Sequence, residues 1–221
     1  MRYTAVGALA LAIGAAAWAD GGVARMEGET QEWTVSVAAF GAEGDGAHDD
    51  TLAFQAAMDH VAKAGSGIVV VPPGTYRIEG TLSVPRNVTL EGVHRAPPRN
   101  AEGGSVLHAY AGRGDAEGEP FITLHENSTL RGLVVFYPEQ TMPPQPYPWC
   151  VRGIGDDCAI LDCLLLNPYQ AVDFGTYPAG RHMVRGLYAQ ALYRGLFIDQ
   201  CFDVGRVQDV HFWPFWDTSE E

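Results

Sequence analysis

The sequence predicts an all-β solenoid of stacked coils, opened by a single capping α-helix. Three observations carry this. From Gly67 onward, short aliphatic runs alternate with Gly, Asn and Asp, and no second helical pattern follows. Four later runs share a strand, tight turn, strand pattern: Leu130-Arg131-Gly132-Leu133-Val134, Ile160-Leu161-Asp162-Cys163-Leu164, Val184-Arg185-Gly186-Leu187-Tyr188 and Val207-Gln208-Asp209-Val210-His211. Their turn residues step by 30, 24 and 23 positions. A second series, Ala171-Val172-Asp173-Phe174 and Leu196-Phe197-Ile198-Asp199, repeats with 26 positions between Asp173 and Asp199. A period of about two dozen residues built from short strands marks a solenoid, whose coils bury their inward faces only on their neighbours.

In chain order, Arg2, an Ala-rich apolar run from Thr4 to Trp18 and Ala17-Trp18-Ala19 read as an export signal peptide over residues 1–19. Residues 20–34 are polar and Gly-rich, a flexible leader. The folded domain is expected over 35–216, with an N-terminal cap at 35–67 and coils at 68–216. Val35-Ser36-Val37 begins it as a short strand. Gly41, Gly44 and Gly46 then make a glycine loop, with Gly44, Asp45, Gly46, Asp49 and Asp50 in structural roles and Asp49 or Asp50 capping the helix. Phe54, Ala57, Met58 and Val61 form one apolar stripe, which Gly65 ends. Such a helix covers the open edge and bare core of a first coil. Ile68-Val69-Val70-Val71 and the turn Pro72-Pro73-Gly74 start the coils. At the other end the aromatic run Phe212-Trp213-Pro214-Phe215-Trp216 meets an acidic tail, so the last coil is expected to lack a cap and the solenoid to be incomplete there.

Composition narrows the partners. The 221 residues are 47% hydrophobic and 19% charged, with 26 Gly and 14 Pro, which excludes a disordered chain, a coiled coil and a collagen. A net charge of −13 excludes a broad basic face for nucleic acid. Beyond the signal no stretch is long and apolar enough to span a bilayer, so a periplasmic or extracellular protein, off the membrane once the signal is cleaved, is expected. Cys150, Cys158, Cys163 and Cys201 lack zinc-site spacing, and a Cys150–Cys158 bridge and buried free thiols both stay open. The oligomeric state is not legible.

The segments Ala39-Phe40-Gly41-Ala42-Glu43-Gly44-Asp45-Gly46, Asp49-Asp50-Thr51, Phe54-Gln55-Ala56-Ala57, Val71-Pro72-Pro73-Gly74-Thr75-Tyr76 and Val88-Thr89-Leu90-Glu91-Gly92 resemble the N-terminal signature of the pectate lyase superfamily, in its rhamnogalacturonase/epimerase-like branch. The resemblance implies a right-handed, single-stranded parallel β-helix. It also implies a function: degrading or modifying a uronate-rich, pectin-like polysaccharide, as a glycoside hydrolase or polysaccharide lyase. A non-catalytic glycan-binding or adhesin-like β-helix and a phage tailspike-like protein are the rival readings. The signature describes the start of the fold and not the chemistry.

Candidate chemistry comes from residues further on. Asp156 and Asp157 resemble the paired aspartates of polygalacturonases, although the register and the missing companion motifs speak against them. If Asp173 and Asp199 project from one face of successive coils, rungs about 4.8 Å apart would let them act as acid and base or share a Ca²⁺ ion. The lyases that the chain resembles use Arg or Lys with Ca²⁺, and Arg152, Arg185 and Arg194 are available for that role, with Arg152 and Arg194 as substrate contacts. Tyr147 and Trp149, in a proline-stiffened insert, offer flat faces for sugar, and Trp213 and Trp216 either serve in the same way or stack in the core or on a further coil.

Overall fold

The computed structural model describes residues 33–213. The expected signal and leader, with Trp216 and the acidic tail, lie outside the described residues apart from the leader's last two positions. Strands β1 (Thr34–Ser36) and β2 (Asp45–Asp49) lead into helix α1 (Thr51–Lys63). The coils follow: β3 (Gly67–Val70), β4 (Gly74–Ile78) and β5 (Leu82–Val84); β6 (Val88–Glu91), β7 (Ser105–Ala109) and β8 (Ile122–His125); β9 (Thr129–Arg131), β10 (Val134–Phe136) and β11 (Trp149–Ile154). Later coils fuse their first two strands, as β12 (Ala159–Leu166) with β13 (Gln170–Phe174), then β14 (Met183–Ala189) with β15 (Arg194–Ile198), and finally β16 (Arg206–Phe212). Every pairing is parallel.

Three ladders result. The first runs β1, β3, β6 and β9 into the leading halves of β12, β14 and β16. The second runs β2, β4, β7 and β10 into their trailing halves. The third is β5, β8, β11, β13 and β15. This is a right-handed, single-stranded parallel β-helix, the hand that nearly all parallel crossovers take.

The fused strands bend at single residues. Gly132, Asp162, Gly186 and Asp209, the turn positions of the sequence repeat, all have left-handed φ between 53° and 63°. Such a residue re-aims the chain onto the next face, and pairing resumes on either side of it. Glycine takes this conformation freely, and aspartate tolerates it better than most residues. A second corner stacks Asn87, Asn127, Asp157 and Arg181 in the same conformation, with Asn127 Nδ2 donating to Asn87 Oδ1 at 2.9 Å.

Inside, Val69, Leu90, Leu130, Ile160 and Val184 stack in register from rung to rung, all buried. The helix closes this core at its start. Phe54, Ala57, Met58 and Val61 are buried, and Phe54 meets Tyr76 edge to face at 5.1 Å. The helix ends before Gly65, whose φ is 95°. At its start the roles of two aspartates part. Asp50 occupies the N-cap position, yet its buried carboxylate accepts the N–H groups of Glu43 (2.7 Å) and Gly44 (3.2 Å) and so pins the glycine loop. Asp49 instead accepts the Thr51 N–H at 3.1 Å. Asp45 holds the loop's second turn by accepting from Ala47 and His48. Gly44 and Gly46 supply positive φ there, and a side chain at Gly44 would meet the Tyr76 ring at 2.9 Å.

Outside the main core a second cluster forms. Val106, Val134 and Leu164 are in register on the second ladder and buried, although they lie outside the main core; Phe136 and Leu166 join them. Ala101, Tyr188 and Trp213 pack against this patch, so the loop at residues 92–104 roofs the outer face of the sheet. At the far end Ile198 and Val207 are exposed, and no strand pairs the outer edges of β15 and β16 among the described residues.

Candidate functional site

The third ladder does not assemble the expected carboxylate pair. Asp173 stands in register with Phe197, and Phe174 with Ile198, so Asp199 falls beyond the end of β15. Register is set by the apolar partners, Val172 on Leu196 and Phe174 on Ile198, and not by matching the aspartates. Asp199 is exposed, its Oδ1 taking the N–H of Gln200. Asp173 is fully buried. Its carboxylate accepts Arg152 Nε at 2.6 Å and the N–H groups of Gly175 and Thr176 at 2.9 Å each. Burial pushes the carboxyl upward, and these donors outweigh it, holding the group below the usual aspartate range. Both oxygens are occupied, and the set does not fit a shared Ca²⁺ ion. Among the described residues no group of three or more His, Cys, Asp or Glu is placed to hold a metal.

Asp156 and Asp157 are also engaged. Arg181 donates to both oxygens of Asp157 at 2.9 and 2.8 Å, lies 3.2 Å from Asp156 and reaches Asp203 at 3.5 Å. The guanidinium lowers the Asp157 pKa. Asp156 also accepts the Gly180 N–H, so this cluster ties two coils together at a corner.

The insert aromatics are buried rather than exposed. Tyr147 is completely buried and meets Tyr137 edge to face at 5.0 Å. Trp149 is 5% exposed and stacked on Phe197. Neither offers a free face to a sugar. Arg152 is committed to Asp173, with Tyr177 5.9 Å from its guanidinium carbon. Arg194 lies over exposed Tyr193 at 5.0 Å, and Arg185 sits in register between Leu161 and Gln208. The four cysteines are free thiols, three of them buried.

A different set of residues does converge. Tyr188 and His211 are in register on the second ladder, and Trp213 follows β16. Their rings meet pairwise: Tyr188 with His211 at 5.4 Å, Tyr188 with Trp213 at 5.9 Å, His211 with Trp213 at 5.3 Å. Pro97 and Arg99, from the roofing loop, complete a groove of about 620 Å³. It therefore joins apolar ring faces, a phenol, an imidazole and a guanidinium. Of these, Trp213 alone was a sequence candidate, as a sugar platform or as a stacking residue. Tyr188 and His211 sit at the same place in two copies of the sequence repeat, one after the other, and that alignment was the missed signal. Arg99 carried none, since its loop lies outside the repeat.

A match to the family described as rhamnogalacturonase A/epimerase, pectate lyase-like, spans residues 34–135. Over those residues the chain is similar to this family. That segment contains the capping helix and the roofing loop with Arg99, and it stops before Tyr188. Among curated relatives, mannuronan C5-epimerase AlgE3 of Azotobacter vinelandii is 47% identical over 60 residues, 24% of this chain and 3% of its own length. The chain thus matches a small part of that relative. Two solved structures share the fold: the A-module of mannuronan C-5 epimerase AlgE4 from Azotobacter vinelandii and a hyperthermoactive exopolygalacturonase from Thermotoga maritima. The first has TM-score 0.52 and 21% identity, covering 80% of this chain and 52% of its own. The second has TM-score 0.55 and 14% identity, covering 72% and 47%.

Proposed function

We propose that this chain is an exported carbohydrate-active β-helix protein whose groove at Arg99, Tyr188, His211 and Trp213 binds a uronate-rich polysaccharide and works on the carbon next to the uronate carboxylate. The observation that carries the reading is the groove's composition. Ring faces pack against sugar C–H surfaces, and a guanidinium recognises a carboxylate by paired hydrogen bonds. A cation on the carboxylate stabilises negative charge developing at C5, which lowers the barrier to losing the C5 proton. His211 and Tyr188 are the groups placed to accept and return a proton. If the proton returns to the opposite face of C5, the product is the epimer. If the C5–H electron pair instead forms a C4=C5 double bond as the C4–O bond breaks, the leaving oxygen takes a proton and the chain is cleaved.

Hydrolysis is the less supported chemistry, because Asp156, Asp157 and Asp173 are held in ion pairs away from the groove. Relatives described as mannuronan epimerases and as an alginate lyase agree with the C5 reading. Export rests on the signal pattern in residues 1–19.

Calorimetric titration with oligomannuronate, oligogalacturonate and a neutral oligosaccharide of equal length tests the site. The charged oligomers are expected to bind. Arg99→Ala is expected to weaken them by roughly ten- to a hundredfold, the worth of a charge-assisted hydrogen bond of about 1.5–3 kcal/mol. Equal binding of neutral and charged oligomers, unaffected by Arg99→Ala, would overturn the assignment.

A further inference from the structure

The roofing loop is fastened at one narrow place. Its two ends meet where Val93 N–H donates to Ser105 Oγ at 3.1 Å and His94 N–H donates to Gly132 O at 3.1 Å. The His94 imidazole lies against Gly104: a Cβ there would fall 2.1 Å from Nε2. A Cβ on Gly132 would fall 2.4 Å from the His94 carbonyl. Two glycines, both with positive φ, therefore make the slot into which this histidine fits. Nε2 is buried with no hydrogen-bond partner among the described residues. The charged groups at the loop's root are Glu91 and Arg95, with Arg131 and Asp162 on the next coils, while Arg99 and Glu102 lie further along the loop itself. Arg95 pairs with Glu91 at 3.3 Å, and Arg131 reaches Glu91 at 3.5 Å and Asp162 at 3.7 Å. Arg95 also donates to the His94 carbonyl. At the loop's root each of these carboxylates, Glu91 and Asp162, is already matched by a guanidinium.

We infer that His94 is a positioning residue for the groove: in its neutral form it docks the loop that carries Pro97 and Arg99, and on protonation it releases that loop and dismantles the groove wall. The functional consequence rests on the polysaccharide reading above, whereas the docking itself does not. Burial holds the His94 pKa below the ordinary histidine value, with a backbone contact at Gly103 working the other way. The docked loop thus binds a proton less readily than the released one. Docking is favoured at neutral pH and weakens as pH falls from the ordinary value of about 6.5 towards the lower docked-state value.

Hydrogen exchange of the Val93 and His94 amides, which fasten the loop to Ser105 Oγ and Gly132 O, measured from pH 7.5 to 5 and corrected for the intrinsic rate, reads docking without any ligand. Protection in the wild type is expected to fall by up to about tenfold per pH unit below the transition. In His94→Gln it is expected to be independent of pH. Gly104→Ala, which leaves every titratable group in place, is expected to leave the loop unprotected at all pH values while circular dichroism stays native. Oligomannuronate affinity should follow the same profile. A wild-type loop whose protection does not change with pH, or a His94→Gln loop that keeps the wild-type profile, would overturn the inference. A pH-dependent loop on a protein that binds no uronate would uphold it and refute the polysaccharide reading instead.

Discussion

Replacing Asp173 separates a structural role from a catalytic one. Its carboxylate is fully buried and receives three donors, of which Arg152 is the charged one. Asp173→Ala strands the Arg152 guanidinium and two backbone N–H groups, and breaking a buried pair from one side costs about 3–5 kcal/mol. Asp173→Asn keeps a carbonyl for the N–H groups of Gly175 and Thr176 and loses chiefly the charge-assisted bond, a cost of about 1.5–3 kcal/mol. Replacing both partners, as Arg152→Met with Asp173→Leu, is expected to recover most of the Ala loss. Because the folded-state pKa of Asp173 is depressed, its contribution is present above the ordinary aspartate value of about 3.9 and disappears as pH falls through the lower folded value. Urea unfolding followed by circular dichroism measures all of this. An Asp173→Asn protein with the wild-type midpoint, inactive on its polysaccharide, would refute the structural account and return Asp173 to the chemistry.

Three further outcomes follow from the coil geometry. Burial pushes the thiols of Cys150, Cys158 and Cys163 up to about 12, so at pH 8 native protein is expected to react with a thiol reagent through Cys201 alone; a disulfide found by peptide mapping would contradict it. Gly186→Ala is expected to cost about 1–2 kcal/mol, since it puts a side chain at φ 62° and 2.8 Å from Asp162 Oδ1, while Asp209→Gly at the equivalent turn should not destabilise by more than about 0.5 kcal/mol. Thermal melts of the two variants decide this. Expression in a bacterial host with N-terminal sequencing tests export, with Asp20 expected as the first residue.

The repeat was readable because a left-handed corner admits few residues, and Gly132, Asp162, Gly186 and Asp209 recur wherever the chain must turn. The helix was readable from one apolar stripe. Register on the third ladder was misread by two residues, since matching Asp173 to Asp199 gave weight to polar residues when the buried pairs Val172–Leu196 and Phe174–Ile198 decide it. Side-chain direction in the insert was hidden for a related reason. Proline spacing describes stiffness and says nothing about which face packs, and Tyr147 became core. The groove was least legible of all, because it joins a loop at Pro97 and Arg99 to strands nearly a hundred residues later, and only the coil stacking brings them together.

The central claim is that the groove works on the carbon beside a uronate carboxylate. Incubating the purified protein with polymannuronate or polygalacturonate in D2O, and following the polymer by NMR, tests it directly. The account predicts deuterium at C5 or new unsaturated uronate signals, lost in Arg99→Ala and in His211→Ala while the fold remains native. New reducing ends with hydrogen retained at every C5, or turnover that survives both substitutions, would contradict it.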